Sequence, residues 1–240
     1  MRFVLGSIFR NSVNYIPRYV SQVTDLREKL LARGDSLLLI LAEGDNTDDT
    51  SSMLRSANTW RDWKGFPGGV IVMTREHRGP LFGSVDDDTR WRQSSWVWEG
   101  VIERVSQLDD VFCYVESDLI WDSDTLLRLA GRLGDGKDVV CPLCLYAPEN
   151  MRHYDSWGLR GLDGKGFGPF WPYHSSLLQP SPDAGMFPIN SAGSCLVMRA
   201  EVARRSRFIP DNLAVVGWCQ NMRENGFKLW LDDKEKVVHP

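Results

Sequence analysis

Val111-Phe112-Cys113-Tyr114-Val115-Glu116-Ser117-Asp118-Leu119-Ile120-Trp121 runs from an apolar stretch directly into two acids. Side chains two apart on an extended chain share a face, so Glu116 and Asp118 can reach one cation. Hard divalent cations such as Mg2+ and Mn2+ take oxygen ligands, often one or two carboxylates with phosphate oxygens filling other positions. A nucleotide-sugar site requires that chemistry. An acid-x-acid at a strand end is equally what a solvated turn looks like. Here an apolar strand precedes it and a helix signal follows: Asp122 or Ser123 as cap, then Leu126, Leu127 and Leu129, closed by Gly134.

The same alternation extends on both sides. Residues 3–9 read as a first strand. Ile16, Tyr19, Val20, Val23, Leu26 and Leu30 recur at helical spacing and stop at Gly34. A buried strand over 37–42, a short helix over 51–60 capped by Asp48 or Asp49, and a strand over 70–74 follow. Trp91, Trp98, Val101, Ile102 and Val105 mark another amphipathic helix, and 139–141 one more buried strand. Strands alternating with helices imply an α/β fold with a mostly parallel central sheet flanked by helices. After residue 145, Gly, Pro and aromatic residues dominate and loops are expected. Regularity returns as a strand at 194–198, a helix over 211–225 ending at Gly226, and strands at 228–231 and 236–238.

The bulk numbers remove several classes of function. A chain of 240 residues, 42% hydrophobic, can bury a full core as one domain. Net charge is −4 and no basic stripe is present, so nucleic acid is not the expected partner. The longest aliphatic run, 37–42, is far below the roughly 20 residues of a membrane span. The apolar start is too short for a signal-peptide core, and a cytoplasmic setting is expected. Five cysteines at irregular spacing argue against a disulfide framework, and Cys141-x-x-Cys144 lies on a strand without a second pair to make a zinc site. Ten tryptophans and six tyrosines suit stacking on sugar rings, although both are also ordinary core residues.

Past the second strand, Glu43-Gly44-Asp45-Asn46-Thr47-Asp48-Asp49-Thr50 gathers acidic and amide groups. Ligands of open α/β sheets bind at the carboxyl ends of strands, so Glu43 and Asp45 are candidates to bond a ribose or base, with Asp48 to Thr50 read as turn and cap. Strand, this acidic segment, helix, and a later strand ending in Glu116-Ser117-Asp118 resemble the GT-A nucleotide-diphosphosugar glycosyltransferases. Arg90-Trp91-Arg92, Glu116-Ser117-Asp118, His153-Tyr154-Asp155-Ser156-Trp157-Gly158-Leu159-Arg160 and Trp171-Pro172-Tyr173 follow the order of the fungal capsule-associated α-1,3-mannosyltransferase family, over about residues 36–200. The tail, Arg223-Glu224-Asn225-Gly226 through Val237-Val238-His239-Pro240, is similar instead to the end of many bacterial GT-A domains. The amino-terminal membrane anchor of the fungal enzymes is not expected here.

The resemblance implies a single GT-A domain over 1–240, with a nucleotide-binding part at about 1–145 and a loop-rich acceptor-side part at about 146–240. It implies a metal held by Glu116, Asp118 and His239, with Mn2+ favoured over Mg2+ beside an imidazole. Ser7, Glu43, Asp45, Arg90, Arg92, Glu116, Ser117 and Asp118 make up the expected cofactor-binding set, Arg90 and Arg92 facing the diphosphate. Asp155, Trp157 and Arg160 are expected where a sugar is bound, against the plainer readings of a structural ion pair for Asp155 and Arg160 and of buried packing for Trp157. Tyr173 and His174 are weaker candidates, and His77 and His153 read as loop residues. No acid occurs in Val215 to Gln220, where an inverting enzyme places its base, so retention is favoured and Asp211 stands as the base of the inverting alternative.

The implied activity is transfer of a sugar, mannose from GDP-mannose first, from a nucleotide diphosphate donor to a hydroxyl of a glycan or glycoconjugate. GDP-sugars are favoured over UDP-sugars. The alternatives are an inverting transferase using a UDP-sugar, a sugar-phosphate nucleotidyltransferase and a catalytically silent sugar-binding module. A nucleotidyltransferase would need a Gly-rich loop with a basic residue after the first strand, and residues 7–14 carry Arg10 but no glycine.

Overall fold

The computed structural model describes residues 1–63, 68–80, 82, 87–147, 152–166, 185–209 and 213–240. One sheet of eight strands runs through it in the order β3-β2-β1-β4-β7-β5-β8-β6. The strands are β1 (Arg2–Phe9), β2 (Ser36–Glu43), β3 (Gly68–Thr74), β4 (Val111–Val115), β5 (Val139–Leu145), β6 (Met186–Ile189), β7 (Cys195–Arg199) and β8 (Leu229–Val238). The helices are α1 (Ile16–Ala32), α2 (Thr50–Arg55), α3 (Asp88–Ile102), α4 (Ser123–Gly131), α5 (Ala200–Arg205) and α6 (Val215–Glu224). The result is the expected α/β class: a central, mostly parallel sheet flanked by helices.

Alternating side chains divide the interior into two layers. Phe3, Leu5, Leu39, Leu41, Val111 and Cys113 pack with Ile16, Val23, Leu26 and Leu126 from α1 and α4. Val4, Ile40, Phe112 and Tyr114 pack on the other face with Trp98, Val202 and Trp218 from α3, α5 and α6. Burying a side chain such as Phe112 stabilises the fold by about 1.5–3 kcal/mol. Gly6 lets α3 approach: a Cβ there would stand 2.5 Å from Val101 Cγ1. Cys141 and Cys144 fall on opposite faces of the sheet, both buried and free, so the C-x-x-C spacing has no metal or redox use.

Several boundaries differ from the sequence reading. α2 stops at Arg55, and Asp48 rather than Asp49 supplies the capping acceptor, its Oδ1 taking the Thr50 amide at 3.0 Å. α3 begins at Asp88, capped by Asp87, whose Oδ1 accepts from Thr89 and Arg90. The two strands expected at 228–231 and 236–238 are one strand, β8, whose pairing with β5 shifts register after Pro142. β6 and α5 lie where no periodicity pointed to them. β7 runs antiparallel to both β4 and β5, and β6 antiparallel to β8. Composition does not encode strand direction, so neither reversal was legible.

From β1 the chain winds outward to β2 and β3, then returns past β1 to form β4 on its other side, parallel to it. That reversal opens a crevice beyond the carboxyl ends of β1 and β4, the place where open α/β sheets bind ligands.

Candidate active site

A cavity of about 520 Å³ occupies this crevice, a size within the range of small-molecule sites. β1 contributes Ile8 and the residues just past it, β4 runs out into Glu116, Ser117 and Asp118, and α3 adds Arg90, Trp91 and Trp98. The segment 154–158, Gly193-Ser194, the start of α6 and His239 close the other sides.

Glu116, Asp118 and His239 bring one ligand atom each within 4.8 Å of one another. His239 lies one residue past β8, anchored by its amide on Leu145 O at 2.9 Å, and its Nε2 stands 2.9 Å from Asp118 Oδ2. Its side chain is 18% exposed. Burial opposes the imidazolium, but the bond to Asp118 and the charges of Asp118 and Glu116 hold His239 above its usual value. Burial, with the nearby charges of Asp118 and Asp155, pushes the Glu116 carboxyl up to about 7. The Glu116 amide donates to Ser194 O at 3.0 Å, fixing the exit of β4. Asp118 Oδ1 is buried and has no hydrogen-bond partner among the described residues. Two crowded carboxylates, an imidazole and an orphaned oxygen fit a divalent cation.

The acidic segment after β2 serves another purpose. Glu43 is 2% exposed and fully engaged, accepting from Ser51, Asn46, Arg55 and Thr74. Asp45, at φ 50°, accepts from the amides of His77 at 2.8 Å and Arg78 at 3.0 Å. Asn46 Oδ1 takes the Asn11 amide, Thr50 Oγ1 that of Ser12, and Asp48 Oδ2 that of Val13. Neither Glu43 nor Asp45 lines the cavity. Their oxygens are taken up by Asn46, Ser51, Arg55 and Thr74 for Glu43 and by the 77–78 backbone for Asp45, while Asn46, Asp48 and Thr50 shape the loop after β1. Ser7 is engaged internally as well. It is fully buried, donating to Val115 O at 2.6 Å and accepting from Tyr19 at 2.9 Å.

Arg90 lines the cavity with its guanidinium 4.3 Å from the Trp91 ring centroid, whereas Arg92 projects from the exposed side of α3 and does not line it. Asp155 and Arg160 do not pair with each other. Asp155 Oδ2 takes the Gly193 amide at 2.6 Å and Oδ1 the Gly158 amide at 2.9 Å, and burial raises its carboxyl against those two bonds. Arg160 donates to Trp157 O at 3.2 Å and borders a smaller neighbouring hollow. Trp157 is 45% exposed, not buried, its edge toward Trp91 at 6.3 Å. It borders both spaces, an aromatic face at the rim. His77 and His153 both lie outside the named strands and helices, as expected, with His153 3% exposed and bridged to Leu145. Asp211, Trp171, Pro172, Tyr173 and His174 lie outside the described residues.

Sequence reasoning missed Arg10, Ser12, Tyr15, Tyr154 and Ser194 in the cavity wall. The only usable signal was that Arg10 follows the strand next to β4. Among the described residues no helix is long and apolar enough to cross a membrane.

No protein-family model and no curated protein matches the chain. Among solved structures it is similar to S. aureus TarS residues 1–349, at TM-score 0.58 and 12% identity, over 99% of this chain and 60% of that one. A second S. aureus TarS structure gives 0.55 and 11%, over 99% and 36%. The catalytic domain of Drosophila beta1,4galactosyltransferase 7 gives 0.47 and 11%, over 99% and 70%. The chain therefore spans less than two thirds of the TarS chains it resembles. The likeness is one of fold, and that fold is GT-A-like.

Proposed function

We propose that the chain is a metal-dependent glycosyltransferase that moves a sugar from a nucleotide diphosphate donor to an acceptor hydroxyl. The observation carrying this reading is the convergence of Glu116, Asp118 and His239 at the floor of the switch-point cavity. These three residues would hold the cation, and the mixed oxygen and nitrogen set favours Mn2+ over Mg2+. Bound there, the cation supplies positive charge against the charge that builds on the leaving diphosphate. Asp155 positions the segment carrying Tyr154 and Trp157, and the exposed Trp157 face suits the apolar side of a sugar ring.

A GDP-sugar, GDP-mannose first, is the favoured donor on the strength of the mannosyltransferase-like segments. Retention is favoured as well. At the start of α6 the cavity meets Leu213, Ala214, Val215 and Val216, none of them acidic, and Asp155 is committed to two amides. A glycan or glycoconjugate is the proposed acceptor.

A thermal-shift panel of GDP-, UDP-, CMP- and dTDP-sugars, each with and without Mn2+, tests the proposal, because a ligand that binds only the folded state raises its apparent stability. A metal-dependent rise with a nucleotide sugar is expected, largest with GDP. No response to any donor removes the reading; a larger response to UDP removes the base assignment alone.

A further inference from the structure

Arg10 leaves the end of β1 beside the exit of β4. The register that pairs Gly6 with Tyr114 carries the two chains off the same sheet edge as neighbours, and Arg10 and Asp118 line the same cavity. The loop bearing Arg10 is tied down by Asn46, Asp48 and Thr50. The acidic segment thus holds the position of a basic residue.

Among the described residues the guanidinium is short of acceptors. Its Nε and Nη2 are buried without a hydrogen-bond partner. Its Nη1 stands 3.2 Å from His77 Nε2. His77 Nδ1 accepts the Gly79 amide at 3.0 Å, so the ring proton sits on Nε2 and faces Asp45 Oδ2 at 3.1 Å. Burial, opposed by Asp45 and reinforced by Arg10, keeps this imidazole below its usual value and neutral. The ring therefore offers Arg10 an N–H rather than a lone pair. Asp45 draws on Arg10 by charge, but both its oxygens already take backbone amides. A guanidinium cannot shed its proton, and buried donors left without acceptors are costly. Such a group on a ligand cavity is complete only when an acceptor-rich anion supplies two oxygens in its plane.

We propose that Arg10 binds the non-bridging oxygens of the donor's diphosphate. This rests on reading the cavity as a nucleotide-diphosphate site. Lining the same cavity as Asp118, it would give the diphosphate a cationic partner from the chain itself, in addition to a metal. A purely structural arginine would have an internal acceptor, and removing it would lower stability.

Calorimetry on the full chain with Mn2+ tests this, using inorganic diphosphate, GDP and guanosine against the wild type, Arg10→Met and Arg10→Lys. The expected result is at least a tenfold loss for diphosphate and for GDP in Arg10→Met, with a smaller loss in Arg10→Lys, which keeps the charge without the fork. Ligand-free Arg10→Met should melt at or above the wild-type temperature. Unchanged diphosphate binding in the variants, with wild-type binding intact, overturns the role of Arg10 and leaves the site reading standing. A loss confined to GDP and guanosine moves Arg10 to the base and overturns the diphosphate assignment. A lower ligand-free melting temperature in both variants makes Arg10 structural. Wild-type protein that binds neither diphosphate nor GDP removes the site reading, and this inference with it.

Discussion

The imidazole of His239 lies flat against the ring of Tyr154, centroids 3.6 Å apart and planes 9° from parallel. Tyr154 is braced in turn by the edge contact with Tyr146 at 5.2 Å. The stack sets the plane in which Nε2 meets Asp118. Groups that orient a metal-binding histidine are typically worth 10–100-fold in affinity. Tyr154→Leu should therefore weaken Mn2+ binding by about 10–100-fold, and Tyr154→Phe, which keeps the stack, should not. Titration followed by electron paramagnetic resonance of free Mn2+ reads the difference.

Asp155 ties Gly158 to Gly193 through its two oxygens. Asp155→Asn would place an amide NH2 against one of these backbone donors, at a cost of about 1–3 kcal/mol. For a chain of this size that lowers the melting temperature by roughly 5 °C. Gly158→Ala should be worse, since its Cβ would stand 2.4 Å from Asp155 Oδ1 and 2.8 Å from Gly193 N. An unchanged melting temperature in Asp155→Asn with activity lost would instead make Asp155 a catalytic residue.

Glu43 links stability to pH. Burial alone would raise its carboxyl, but the bonds from Ser51, Arg55 and Thr74 and the Arg55 charge outweigh it and hold the group below the usual range. A depressed folded value means stability that is present above the unfolded value and lost as pH falls through the folded one. Urea midpoints of the wild type should begin to drop as pH falls through the ordinary carboxylate range and go on dropping until the folded group is protonated. Glu43→Gln should start lower at neutral pH and fall less.

The layered α/β order was legible because buried strands and amphipathic helices leave distinct periods, as in 37–42 and in Ile16 to Leu30. The pairing of Glu116 with Asp118 followed from strand alternation, and the link to His239 from the resemblance of the tail. The partners of Glu43 and Asp45 were not legible because a polar cluster after a strand has the same composition whether it faces a ligand or a neighbouring loop. Their partners come in part from other segments, Arg55 and Thr74 for Glu43 and residues 77–78 for Asp45. Arg10 was invisible for the converse reason: a lone arginine forms no pattern, and its meaning lies in acceptors that are missing around it. The exposure of Trp157 was not legible because exposure of a tryptophan depends on what covers it.

Stereochemistry follows from the α6 side of the cavity, where the described residues offer no carboxylate. The product of an α-linked donor should keep the α configuration, read from the anomeric proton signal by NMR. A β-linked product would overturn retention and direct attention to Asp211.

On the proposed function, Glu116, Asp118 and His239 hold the cation on which donor chemistry depends. Slow hydrolysis of GDP-mannose and of a UDP-sugar by purified protein measures this without knowledge of the acceptor, in Mn2+, in excess chelator, and with Asp118→Ala. Turnover in Mn2+ that chelator abolishes, and that Asp118→Ala lacks while keeping a wild-type circular dichroism spectrum, is the predicted result. Undiminished turnover in excess chelator, or in Asp118→Ala, would contradict it.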